Sequence, residues 1–221
     1  MSAARVLVWD LPTRAFHWLL ALSFAGAVAT GESGQLHGVH VACGYTMLGL
    51  VAFRIAWGLV GTRYARFRSF AFGPRSVLAY LRSLARKSPQ HHVGHNPAGS
   101  WAIWALLALV ALAAATGYAT NEGLGGDWLE GLHEGVVNTL IFLVVVHVAG
   151  VVASSLLHRE NLARAMLTGY KRGAPGEGIR VRHAAVAIAL VLSAGSFWVA
   201  GGGAASLPWP PEAHADTSSR G

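Results

Sequence analysis

Residues Leu132 to Leu157 form an apolar stretch of membrane-spanning length that carries one histidine at its start, His133, and another in its middle, His147. On an α-helix, a separation of 14 residues places the second imidazole about 40° short of four full turns and roughly 21 Å further along the axis. Both imidazoles therefore face one side of the helix at two depths. Ionisable side chains within a hydrocarbon layer are costly, so two on one stripe of a Val/Leu/Ala/Ile helix call for a partner that uses imidazole in its neutral form. A haem iron at each level is such a partner, because imidazole is a common axial ligand and the porphyrin face is apolar. A single helical histidine is more often a packed core residue, so this reading depends on opposing histidines at matching depths in other segments.

Composition fixes the class of molecule in which to look for them. The 221-residue chain is 53% hydrophobic and 12% charged, with a mean hydropathy of +0.44, which fits a helical membrane protein and not a soluble domain of this size. The single cysteine, Cys43, excludes an internal disulfide and a cysteine-ligated cluster. A formal charge of +7 would suit nucleic acid, but its placement argues otherwise. Between Thr62 and Gly99 lie Arg63, Arg66, Arg68, Arg75, Arg82, Arg86 and Lys87 with no acidic residue, wedged between two apolar runs. Within this connection Pro74 is placed to open a short helix with Val77, Leu78, Leu81 and Leu84 on one side and Arg75, Arg82 and Arg86 on the other. That pattern suits a helix lying on an anionic membrane surface, so no nucleic-acid partner is expected.

The apolar runs give spans at about 15–31, 36–60, 101–118 and 132–157. A linker and fifth transmembrane helix follow over 174–207, and a polar tail over 208–221. The expected fold is therefore an all-α integral membrane protein: a four-helix transmembrane bundle plus a fifth C-terminal transmembrane helix. Ala27-Val28-Ala29 resembles a signal-peptidase site, against which stands His17 within the first apolar run. The third span holds no ionisable group and reads as structural. The loop 121–131 carries Glu122, Asp127 and Glu130 without Lys or Arg, and another basic loop follows the fourth span. The positive-inside rule then sets both basic loops and the N-terminus in the cytoplasm.

Depths can now be compared. His40 opens the second span and His133 the fourth, both at the outer side, whereas His17 and His147 match at an inner level. Four histidines sort into two opposed pairs, each able to hold one haem. His37 lies one turn from His40 and is an alternative outer ligand. His158, 11 residues past His147, is nearly in phase with it but sits at the membrane edge, which suits an interfacial role. Arg54 repeats the 14-residue spacing from His40; it either meets a haem propionate at the inner level or snorkels to the headgroups. Gly44 and Gly150, each near a candidate ligand, leave room for a porphyrin and equally suit close helix packing.

These residues carry a resemblance. WDLPTRAFHW (Trp9 to Trp18), His40 with GYTMLGLVAFRIAWGLVG (Gly44 to Gly61), GHNP (Gly94 to Pro97), and LHEG, VVVHVAGVV and HRENL within Leu132 to Leu162 resemble the prokaryotic cytochrome b561 family. The similarity is greatest to its branch containing the cytochrome b subunits of nickel–iron hydrogenases. It covers about Val6 to Gly173, within an expected di-haem transmembrane domain of residues 1–173. It implies a four-helix core binding two haems b, with helices one, two and four supplying His17, His40, His133 and His147 as axial ligands of the haem iron. It favours His40 over His37, since the family histidine precedes the Gly-Tyr pair, here Gly44-Tyr45, by four residues. The fifth helix and tail lie outside the pattern.

The implied function is electron transfer across a bacterial inner membrane between a partner, either a hydrogenase-like dehydrogenase subunit or a c-type cytochrome, and quinone. No nucleophile, catalytic carboxylate pair or phosphate loop accompanies the histidines, so bond chemistry beyond electron and quinone-linked proton exchange is not expected. The competing readings are a self-contained superoxide:quinone oxidoreductase, which needs no protein partner, and a metal or proton transporter. Transporters of that kind commonly keep a mid-membrane acidic residue, and the spans contain none.

Overall fold

Two of the long helices begin at side-chain caps. The computed structural model describes residues 4–86 and 90–202; Lys87, the last residues of the expected fifth span and the expected tail lie outside them. Helix α1 (Leu11–Thr30) starts at Asp10, whose extended backbone lets its carboxylate accept the Thr13 N–H at 2.8 Å, with Pro12 in the first turn. Helix α2 (His37–Val60) follows one 3-10 turn that Ser33 caps. Helix α3 (Pro74–Ala85) opens on Pro74, as its sequence predicts. Helix α4 (Pro97–Asn121) is capped by Asn96, which accepts the Gly99 N–H at 2.7 Å. The turn into α5 (Asp127–His158) runs through Gly123, Gly125 and Gly126 with φ of 69°, 76° and 62°, a left-handed path that side chains would resist. Asp127 and Glu130 then occupy the first turn of α5, where the helix dipole favours anions. Helices α6 (Leu162–Thr168) and α7 (Ala184–Phe197) complete the chain, α7 continuing as a π-helical turn, Trp198–Gly202.

Four of these helical stretches are long and apolar enough to cross a membrane: Gly34–Val60, Pro97–Asn121, Asp127–His158 and Ala184–Gly201. Helix α1, the expected first span, is 20 residues long but does not join them on hydropathy, because Arg14, His17 and several small polar residues dilute it. Its alignment with the bundle comes from packing along α2 and α7. The 32 residues of α5 exceed what a bilayer core of ~30 Å requires, so its acidic first turn extends beyond the hydrocarbon.

The core runs through α1, α2, α4 and α5 and contains Ala27, Cys43, Met47, Val51, Val110, Ala113, Val136 and Leu140. Backbones approach closely in the order α7, α1, α2, α4, α5. Among the long helices, α5 lies close along α4 and is set off from α1 and α2, which carry His17 and His40. A two-stranded antiparallel ribbon joins β1 (Ala4–Leu7) to β2 (Tyr170–Gly173). The opening polar lead gave no sign of this ribbon, since a four-residue strand acquires its identity only from a partner more than 160 residues away. Arg14 and the Trp18 indole donate to backbone carbonyls of Met166 and Leu167, docking α6 onto α1.

Asp10 ties this end together. It is 1% exposed and accepts hydrogen bonds from the Thr13 N–H, the Trp57 indole at 3.2 Å and the Thr62 hydroxyl at 2.5 Å. One carboxylate thereby fixes the start of α1 against the end of α2. Asp10→Ala removes a helix cap and strands two buried donors, for an expected loss of about 3 kcal/mol or more. Thermal unfolding of the purified protein checks this, and Asp10→Asn, which retains one acceptor oxygen and can keep the Thr13 cap, is expected to lose less.

Candidate functional site

At the level expected to be the outer one, the structure brings His40 and His133 together edge to face, with ring centroids 6.2 Å apart and planes at 85°. Each ring is oriented through Nδ1. In His40 this atom lies 2.9 Å from the Ala27 carbonyl, so it carries the proton and donates; in His133 it lies 3.0 Å from the Thr116 hydroxyl. Anchoring Nδ1 sets the tautomer in which Nε2 holds the free lone pair, the arrangement that makes histidine a metal ligand. Two imidazole–metal bonds of ~2 Å each are compatible with rings so spaced. His37 is exposed and stacks on the outward side of His40 at 6.4 Å, so His40 is the one that opposes His133.

Helix α4 supplies the second layer of this site, a role the sequence reading missed when it treated the third span as purely structural. Besides Thr116, Gly117 borders His133 so closely that a Cβ there would lie 2.9 Å from the ring Cε1. The available signal was a hydroxyl followed by a glycine at the outer end of an apolar run, the depth that the paired histidines share.

His17 on α1 and His147 on α5, expected at the inner level, are both partly buried. The His17 Nδ1 is enclosed without a hydrogen-bond partner among the described residues. Arg54 is 3% exposed, so the snorkelling alternative does not hold. Its guanidinium lies over the Phe67 ring at 4.8 Å and near Phe70 at 5.7 Å. Its Nη1 is buried without a partner among the described residues. A desolvated cationic donor of this kind suits an anionic group entering from within the bundle. His158 belongs elsewhere: its Nε2 lies 3.4 Å from the Tyr80 hydroxyl, and its ring faces His91.

Sequence reasoning also left His95 unassigned within its Gly-His-Asn-Pro quartet. The ring packs between Trp9 and Phe70, at centroid distances of 4.6 and 4.5 Å. Burial pushes its pKa down to about 3, with the positive field of Arg54 and Lys171 adding to the effect. A histidine held neutral in the fold protonates more readily when unfolded. Its contribution is therefore present above pH 6.5 and is lost as pH falls toward 3. Replacing His95 by glutamine is expected to flatten the decline of thermal stability between those limits.

Two further observations bear on what the paired histidines hold. A Cβ added at Gly44 or Gly150 would meet no atom within 4 Å, so both small residues border open space beside a candidate ligand. Among the described residues, no group of three or more His, Cys, Asp or Glu could hold a metal ion by protein ligands alone. Paired imidazoles suit a metal that arrives with its own equatorial ligands in a flat apolar frame, and the residues therefore fit haem.

Comparison with known proteins agrees with the resemblance in the sequence. A family model described as prokaryotic cytochrome b561 matches residues 8–169. Among curated relatives, a protein of Azotobacter vinelandii named "Probable Ni/Fe-hydrogenase B-type cytochrome subunit" is 27% identical, over 75% of this chain and 88% of its own. Proteins with the same name from Rhodobacter capsulatus (24% identical, 75% and 81% covered) and Cupriavidus necator (25%, 77% and 88%) are similar over comparable lengths. No solved structure matches the chain.

Proposed function

The chain belongs to the prokaryotic cytochrome b561 family, and from that premise we propose that it is a di-haem membrane cytochrome linking a hydrogenase on the outer face to quinone. In this reading His40 and His133 hold one haem b, His17 and His147 hold the other, and Arg54 meets a propionate of the inner one. The observation that carries it is the opposition of His40 and His133 with both Nδ1 atoms anchored. Bound haem supplies one-electron exchange at each level.

The protein's own contribution is orientation and exclusion. The Ala27 carbonyl and the Thr116 hydroxyl hold the outer imidazoles in the tautomer that presents Nε2. Gly117 lets the His133 ring lie against α4. At the other end Phe67, Phe70 and Trp104 pack together around Arg54, keeping water from its guanidinium. The names of the relatives support a hydrogenase as electron donor. The N-terminus is then cytoplasmic, and the acidic loop faces the donor. Glu122, Asp127 and Glu130 are exposed there beside Leu124 and Trp128, at 56% and 68% exposure. An apolar patch with an acidic rim suits a basic partner surface.

The test uses the full chain in proteoliposomes with a membrane-bound nickel–iron hydrogenase. Hydrogen is expected to reduce the b-type absorbance only when the hydrogenase is present, and added ubiquinone to reoxidise it. Charge reversal at Glu122, Asp127 and Glu130 is expected to slow reduction at low salt. Reduction by superoxide alone, at an equal rate without any hydrogenase, would instead establish the partner-free reading.

A further inference from the structure

Where α5 gives way to the β1–β2 ribbon, the surface holds a cavity of about 240 Å³ whose lining includes Arg5, Arg159, Arg164, Arg172 and Lys171 against one carboxylate, Glu160. We infer that this basin is a binding site for the phosphate headgroup of an anionic glycerophospholipid. The inference is independent of what the histidines bind, and requires only that α5 crosses a membrane.

The ribbon's register carries the argument. Arg5 and Arg172 are direct partners across the antiparallel ladder, so their side chains leave the same face at the same level. Like charges directly opposed across two strands destabilise the pair, and a two-stranded ribbon has little stability to spare. Their neighbours worsen the repulsion. Arg159 sits at the end of α5 with a left-handed backbone (φ 51°), where the chain turns toward α6, and Arg164 lies on α6. The nearby carboxylate is already engaged, since one Glu160 oxygen accepts the Arg172 backbone N–H at 2.6 Å. Lys171, 7% exposed, directs its ammonium to the carbonyls of His92 and Gly94 and contributes field alone. Four guanidiniums remain around one cavity. Planar guanidinium forks match phosphate oxygens bidentately, and a bound anion would offset the Arg5–Arg172 repulsion.

The source of the phosphate follows from what adjoins the basin. Leu156 and Leu157, just before Arg159, are 74% and 44% exposed, and Leu167 on α6 is 56% exposed. Apolar surface continuous with a cationic cavity at the end of a membrane-crossing helix suits a ligand with both phosphate and acyl chains. A free phosphate would use only half of that surface.

Native mass spectrometry of the full-length protein, released from mixed micelles of phosphatidylglycerol and phosphatidylcholine, tests this directly. Phosphatidylglycerol is expected to be retained in preference. The triple variant Arg5→Gln/Arg164→Gln/Arg172→Gln is expected to lower its retention about tenfold or more. Arg63→Gln/Arg68→Gln/Arg180→Gln, with the same loss of charge at exposed arginines outside the basin and outside α3, is expected to leave it nearly unchanged. Arg164→Gln alone, outside the ribbon, provides a variant that leaves the ladder intact and is expected to weaken retention severalfold. Equal retention of phosphatidylcholine, or equal losses in both triple variants, would overturn the site. Binding of inorganic pyrophosphate without retention of phosphatidylglycerol would overturn the lipid assignment in favour of a soluble phosphate.

Discussion

Alanine in place of His147 is expected to reduce bound haem from about two per chain to about one, removing the inner centre and leaving the outer one spectroscopically intact. His133→Ala is expected to do the reverse. The two effects separate because the pairs share no residue and lie roughly 21 Å apart along α5. The outer pair also has its own supports, the Ala27 carbonyl and Thr116, which an inner substitution leaves untouched. Either variant is expected to abolish transmembrane electron transfer, since a centre missing at one depth interrupts the path. Low-temperature absorption spectra resolve the surviving centre. Loss of both centres from a single substitution in a folded variant would mean that the four histidines do not sort into these pairs.

The second large effect is expected where no ligand is changed. In Gly117→Val the new side chain would begin 2.9 Å from the His133 Cε1, and γ-methyls would extend further into the ring. Helix α4 is packed against α2 and α5, so the strain falls mainly on the imidazole, turning it from His40 and from the Thr116 hydroxyl. About half of the total haem is expected to be lost, all of it from the outer centre. Thr116→Val makes a useful contrast: it keeps the shape, removes the Nδ1 partner and is expected to shift the outer centre's potential while retaining most of the haem. If Gly117→Val retained full haem with an unshifted outer potential, α4 would be a spacer, as its sequence suggests.

The parts of this architecture that were legible in the sequence are those set by periodicity and local caps. The long apolar runs gave the helices, Pro74 the start of α3, and the 14-residue spacing the shared face of His133 and His147. Depth set His40 or His37 opposite His133 and the resemblance favoured His40, whose ring the structure places beside that of His133. What was hidden depends on tertiary contact. A hydroxyl followed by a glycine was a faint local mark of Thr116 and Gly117; their role as supports of a histidine 17 and 16 residues further on exists only after α4 and α5 fold back on each other. The spacing from His40 offered burial of Arg54 as one of two readings; what was hidden is the stacking of Phe67 and Phe70 from the following loop that accompanies it. The β1–β2 ribbon joins the two segments that flank the matched region, a pairing that no window of sequence can contain.

The central claim is that two opposed histidine pairs hold two haems, and a pyridine haemochrome assay on the purified, detergent-solubilised protein tests it most directly. The account predicts close to two haems b per polypeptide. A value near one would contradict one of the pairs, and a value near zero would contradict the haem assignment altogether.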